Sequence, residues 1–181
     1  VYLALLRGIN VGGKAKLPMK ELAAIFAACG ATGVRTYIQS GNVVFGAASD
    51  EAAGACGAAV TAEIARVYGY PGRIVLRTAQ ELRACYAGNP FAKASVSEDA
   101  LHVYFLADWP RAEAIKGLDA GRSAPDEFVV RGREVYLFLP AGMARTKLTN
   151  AYFDSKLGTV STARNWRTLG MLVEMMEEEE R

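Results

Sequence analysis

The residues best suited to chemistry in this chain cluster between Arg7 and Lys16, in the run RGINVGGKAK. Gly8, Gly12 and Gly13 permit backbone angles and close approaches that a Cβ would forbid. Arg7, Asn10, Lys14 and Lys16 add cations and an amide to the same segment. The combination suits an oxyanion, which backbone N–H groups and basic side chains receive together. The spacing Gly8-x4-Gly13-Lys14 approaches a nucleotide-phosphate loop. Ala15, however, stands where that motif places a magnesium-binding Ser or Thr. Pro18 marks a helix start about four residues after the lysine, whereas a phosphate loop puts its lysine in the first helical turn. An anion-tolerant loop is expected here, and not an NTPase loop. A glycine-rich connection with solvated lysines would account for the same residues.

Other polar residues sit at the ends of elements. Gln39, Ser40 and Asn42 occupy a turn between two β-rich runs. Arg145 and Lys147 follow the last strand read from the pattern. Thr162, Arg164, Asn165 and Arg167 open what reads as the final helix. Arginines at a helix N-terminus oppose the dipole, and a bound anion would remove the conflict. The glycine loop and this helix start are therefore expected to face one cleft, with Lys14, Lys16, Lys147 and Arg164 around one anion. Pairing of Arg164 and Arg167 with acids elsewhere is the alternative.

Enzyme templates mostly fail. His102, the single histidine, lies in an apolar strand pattern. It reads as a core residue more readily than as a catalytic base. One such histidine supports neither a Ser-His-Asp nor a Cys-His arrangement. No acid lies near the glycine loop before Glu21. Metal-ligand spacing is absent, so no metal and no cofactor are expected, and catalytic residues are not identified.

The elements that must position these groups follow from periodicity. Tyr2 to Leu6 reads as a buried strand, and the helix from Pro18 places Leu22, Ile25, Phe26 and Cys29 on one face. Val34–Ile38 and Asn42–Phe45 read as a hairpin. Ser49 should cap the next helix, whose stripe is Cys56, Val60, Ile64 and Val67. Residues 73–77 form a further strand. Strand, helix, strand, strand, helix, strand is the ferredoxin-like order. Thr78 and Glu81 form a capping box for a short helix. After the polar stretch to Asp99 the pattern repeats: strand 101–106, a helix capped by Asp108, and a hairpin about Arg131-Gly132-Arg133. Ile38–Phe45 aligns with Val129–Tyr136 on the shared glycine. The expected architecture is α+β: two ferredoxin-like subdomains with antiparallel sheets covered by helices, plus a C-terminal helix. The expected boundaries are 1–78, a helical linker 79–99, and 100–181 ending in an acidic tail. That tail, Glu177–Glu180, is expected to be frayed and solvated.

At 181 residues and net charge +2, with 51% apolar residues, the chain has the composition of a soluble globular protein. Cys29, Cys56 and Cys85 lie far apart in apolar helical patterns, which predicts buried thiols of a reducing compartment. Tyr2–Leu6 is too short for a signal peptide, and no run approaches a membrane span. A cytoplasmic location without membrane association is expected. Oligomeric state is not legible.

Several longer motifs carry a resemblance: LLRGINVGGKAKLPM, VRTYIQSGNVVF, the Asn89-Pro90-Phe91 turn, ARTKLTNAYFDSKLGT and TARNWRTL. Together they resemble the bacterial proteins grouped as domain of unknown function 1697, over nearly the whole chain. The resemblance implies a compact protein of two ferredoxin-like subdomains and implies no activity. Thr146 stands where that pattern has Ser, which counts against a serine nucleophile there.

The function expected from the residues is binding of a phosphate-bearing ligand, nucleic acid or nucleotide, by the basic glycine-rich loop. Two rival classes remain: an enzyme acting on a small anionic metabolite, with Lys14 or Lys147 as electrostatic catalyst, and a protein-interaction module. Base stacking on the first sheet would need Tyr37 and Phe45 on one open face.

Overall fold

The computed structural model describes residues 1–181 except Val11, Lys14 and Arg181. By its contacts the chain divides into two units, 1–83 with 172–181, and 84–171. The expected linker is thus shared between the units, and the end of the last helix groups with unit 1.

Unit 1 runs β1 (Tyr2–Leu6), α1 (Met19–Ala28), β2 (Thr32–Tyr37), β3 (Asn42–Gly46), α2 (Asp50–Tyr68) and β4 (Ile74–Thr78), then enters α3 (Ala79–Ala87). Its sheet is antiparallel in the order β2-β3-β1-β4. Unit 2 repeats the plan with β5 (Leu101–Leu106), α4 (Ala112–Lys116), β6 (Glu127–Arg131), β7 (Glu134–Phe138), α5 (Asn150–Leu157) and β8 (Ser161–Asn165). It then enters α6 (Trp166–Glu179). Its sheet order is β6-β7-β5-β8, again antiparallel. Both units are ferredoxin-like, each followed by a helix.

Alternation along the strands builds each core. In unit 1, Ala4, Leu6, Val43 and Phe45 face the helices and pack on Leu22, Phe26, Val60 and Ile64. In unit 2, Tyr104, Leu106, Val135 and Leu137 pack on Tyr152, Phe153 and Leu157. Removing this apolar surface from water is the main stabilising term. Local signals set the helix ends. Ser49 Oγ accepts from Ala52 N–H at 3.1 Å. The Thr78–Glu81 box is reciprocal: Thr78 N–H donates to Glu81 Oε2 (2.9 Å) and Glu81 N–H to Thr78 Oγ1 (3.2 Å).

The repeat extends to individual bonds. Leu6 N–H donates to Gly41 O and Leu106 N–H to Arg133 O, both at 2.8 Å. Arg7 N–H donates to Arg73 O (2.9 Å), and Ala107 N–H to Val160 O (2.8 Å). These bonds correct the hairpin alignment. Asn42 is equivalent to Glu134, and not to Arg133, because Asn42 pairs with Leu5 and Glu134 with Phe105. Matching the two glycines misplaces the register by one residue, which exchanges sheet faces. Four residues join β2 to β3 but only two join β6 to β7.

Several other expectations are corrected. Residues 161–165 are a strand and not the start of the last helix, since β8 pairs with β5 from Leu106↔Ser161 to His102↔Asn165. As an edge strand it needs partners on one side only, so its polar composition is tolerated. Asp108 does not cap α4, whose N-cap position is Arg111. Instead Asp108 N–H donates to Thr159 Oγ1 (3.0 Å), which donates back to the Asp108 carboxylate (2.9 Å). The acidic tail is not simply solvated. Glu178 meets Arg35 at 3.0 Å and Glu180 meets Arg83 at 2.7 Å. All three cysteines are free, Cys56 and Cys85 buried but Cys29 only half-buried.

Candidate anion-binding site

The β1–α1 loop is shaped by left-handed backbone. Among its described residues, Gly8 (φ 72°), Asn10 (53°), Gly12 (57°), Gly13 (75°) and Ala15 (49°) all have positive φ. Ala15 is the costly one, since a Cβ disfavours this region by about 1–2 kcal/mol. Ala15 O accepts from Asn10 N–H and from the Tyr70 hydroxyl, both at 3.0 Å, and these bonds help hold the conformation. Burial pushes the Tyr70 phenol above its ordinary pKa, so it remains a neutral donor.

Asn10 is a staple of the loop. Its Nδ2 donates to Leu17 O and Gln39 O, each at 2.9 Å, while its Oδ1 accepts from Leu17 N–H at 2.8 Å. The carboxamide therefore ties the loop exit to the β2–β3 turn. That turn is closed by Asn42, fully buried, whose Nδ2 donates to Tyr37 O (3.0 Å) and Ser40 Oγ (2.9 Å). Gly41 is required by packing as well as by φ 75°: a Cβ there would lie 2.7 Å from Leu6 and Ile9 side-chain atoms. Gln39 is exposed and enters this network through its carbonyl. The polar residues of this turn thus serve the backbone.

Arg7 stands differently. It leaves β1 where β4 begins, because β1 and β4 are antiparallel and Leu6 pairs with Ile74. Arg7, Gly8, Ala15, Tyr70, Pro71 and Arg73 line one open pocket of about 310 Å³. Two arginines line it and, among the described lining residues, no Asp or Glu. Arg73 and Tyr70 were not among the sequence candidates. The signal for them was topological: any residue just before β4 comes beside the residue just after β1. In unit 2 the equivalent positions are Ala107 and Val160, with the Asp108–Thr159 pair beside them and Arg133 Nη1 donating to Ala107 O at 3.3 Å, so the paired arginines belong to unit 1.

The remaining candidates separate. Gly12, Gly13 and Lys16 are exposed and outside the pocket lining, and Lys14 lies outside the described residues. Lys147, Arg164 and Asn165 belong to unit 2. Asn165 caps α6, its Oδ1 accepting from Thr168 N–H at 2.8 Å. Arg164 is a buried strand residue and not a helix-start cation. Its Nη1 donates to Thr162 Oγ1 (2.9 Å) and Ala163 O (2.7 Å), and burial lowers its pKa to about 10. It is the counterpart of Arg77, equally buried in β4, whose Nη1 donates to Leu76 O at 2.8 Å. Arg167 is exposed beside Asp99 at 3.3 Å. Lys147 lies within unit 2 in a separate pocket that Arg164 does not line.

Neither sheet offers an aromatic reading face. Phe45 faces the helices, 5.2 Å from Phe26, whereas Tyr37 is on the opposite side, paired with Asn42. In unit 2 the Tyr136 ring is buried and its hydroxyl donates to Cys85 O at 3.1 Å. Among the described residues no group of His, Cys, Asp and Glu could hold a metal ion. No described helix is long and apolar enough to cross a membrane.

A search of curated proteins found no match. Among solved structures, the chain is similar to the conserved bacterial protein SP0830 from Streptococcus pneumoniae, with a TM-score of 0.72. The two are 22% identical, with 97% of each chain covered, a likeness that speaks to fold alone. The family model for proteins of unknown function DUF1697 matches residues 1–136, which include the whole first sheet and most of the second, and the chain belongs to that family.

Proposed function

We propose that this protein binds a phosphate-bearing ligand, a nucleotide or the backbone of a nucleic acid, at the basic glycine-rich loop of unit 1. One observation carries the reading: Arg7 and Arg73 line the same pocket with no carboxylate among its described lining residues. Guanidinium groups match phosphate geometry, offering paired N–H donors. Gly8 and Ala15, both with positive φ, bring loop backbone to the same pocket. Recognition then rests on phosphate contact and not on base stacking, because Phe45 and Tyr136 are committed to packing. Free thiols accord with a reducing compartment, and we place the protein in the cytoplasm.

Thermal melting tests the proposal, since a ligand that binds the folded state raises Tm by mass action. Inorganic phosphate, mononucleotides and short single-stranded RNA are compared at fixed ionic strength, for wild type and Arg7→Gln/Arg73→Gln. The proposal requires a rise in wild type that is clearly smaller in the double variant, any remainder being the part that a site elsewhere would supply. A rise with mononucleotides favours a nucleotide. A rise with RNA alone, falling steeply with salt, favours nucleic acid. No rise with any of them removes the proposal.

A further inference from the structure

Unit 2 carries a second cationic cavity, formed by the loop before β6 and the loop after β7. Arg122, Arg145 and Lys147 line it with Ser123 and Asp126, around about 320 Å³. That volume falls at the lower end of small-ligand pockets. We propose that this cavity is a separate binding site for a small phosphate-bearing anion.

The cations are held by the fold and are not merely near one another. The Arg122 guanidinium lies over the Tyr152 ring, 4.2 Å from its centroid, and its Nε donates to Lys147 O at 3.0 Å. Ser123 is the clasp between the loops. Its Oγ accepts from Lys147 N–H (2.9 Å), donates to Asp126 Oδ2 (2.7 Å) and lies 3.4 Å from Thr146 Oγ1. Thr146 Oγ1 in turn accepts from Leu148 N–H at 3.1 Å. The Arg122 side chain and the Lys147 backbone are therefore held before any ligand arrives, which lowers the ordering cost of binding.

Charge selects the ligand class. Among the described residues no carboxylate forms an ion pair with Arg122, Arg145 or Lys147, and the one acid in the lining, Asp126, is buried and bonded to Ser123. Three cations and one carboxylate leave an excess of two positive charges, which a phosphate monoester matches with its charge of about −1.5 to −2 near pH 7. A monocarboxylate would leave one charge uncompensated. The site does not depend on the unit 1 reading, since its residues and its tests are distinct.

The test is calorimetric titration of the full chain with inorganic phosphate and with AMP. Sodium acetate and a short single-stranded RNA serve as comparison ligands. The variants are Lys147→Gln, Arg145→Gln, Arg122→Gln, and Arg7→Gln/Arg73→Gln. Lys147→Gln and Arg145→Gln keep the fold testable, because both side chains are exposed and Lys147 bonds through its backbone. The expected result is a phosphate or AMP binding event that survives in Arg7→Gln/Arg73→Gln. It should weaken about tenfold or more in Lys147→Gln or Arg122→Gln, the loss of one charge-assisted hydrogen bond. Acetate should not compete. Binding unchanged in all three unit 2 variants would overturn the proposal, as would binding of RNA alone.

Discussion

Asn10 is the residue where a structural role and a ligand role make different numerical demands. Its carboxamide forms three hydrogen bonds, two to Leu17 and one to Gln39, and its own φ is 53°. Replacing it by Ala removes all three, at about 1 kcal/mol net each. Ala also lacks the local hydrogen bonding that lets Asn adopt left-handed backbone, which adds about 1 kcal/mol. The sum is a destabilisation of about 4 kcal/mol. Asn10→Gly loses the same bonds without the backbone penalty and should cost about 3 kcal/mol. Asn10→Asp keeps an acceptor for Leu17 N–H but sets a carboxylate against Leu17 O and Gln39 O, so it should be no better than Gly. Urea unfolding measures all three, with an unchanged m-value showing that only stability moved. A loss below about 1 kcal/mol for Asn10→Ala would refute the staple, and Gly less stable than Ala would refute the backbone part.

Other expectations follow from burial. Burial lowers the His102 pKa, so as pH falls the unfolded chain takes up this proton first. Its stabilising contribution is therefore full above about pH 6.5 and is lost as pH falls from there toward the folded-state pKa. His102→Gln should flatten urea stability between about pH 7 and 5, and an unaltered slope would contradict this. Burial raises the thiol pKa of Cys29 and Cys56, but only Cys29 is half-buried. Thiol labelling of the folded protein should modify Cys29 first and leave Cys56 and Cys85 until unfolding; equal rates would mean the packing of α2 around Cys56 and of α3 around Cys85 is wrong. In ultraviolet titration Tyr68, hydrogen-bonded to Glu21, should ionise only near pH 12, and Tyr136 later still because of its burial. Eight tyrosines titrating together near pH 10 would contradict both.

Local signals carried much of the fold. Ser49, Thr78 and Glu81 act within three residues of their partners, so capping rules read them directly. The apolar stripes of α1 and α2 are likewise a matter of spacing. The strand Ser161–Asn165 escaped because an edge strand with Ser, Thr, Arg and Asn carries no apolar alternation. What fixes it is pairing with β5, some sixty residues earlier in sequence. The hairpin register escaped for a related reason, since the glycines Gly41 and Gly132 sit in turns of different length. Of the candidate site, Arg7 and Lys147 line pockets, while Asn10, Asn42 and Asn165 turn out to hold backbone. Asparagine at an element end is ambiguous in sequence because one amide group suits both tasks. Arg73 and Arg122 were hidden because their neighbours, Arg7 and Tyr152, are brought to them only by the tertiary fold.

The central claim is that phosphate is received at the Arg7–Arg73 corner of unit 1. Its most direct test is an amide-resolved NMR titration with inorganic phosphate against sodium chloride at matched ionic strength. The account predicts saturable shifts at Arg7, Gly8, Tyr70 and Arg73 with phosphate, absent with chloride and abolished in Arg7→Gln/Arg73→Gln. If those amides stay still, or drift alike with both salts, the claim is contradicted.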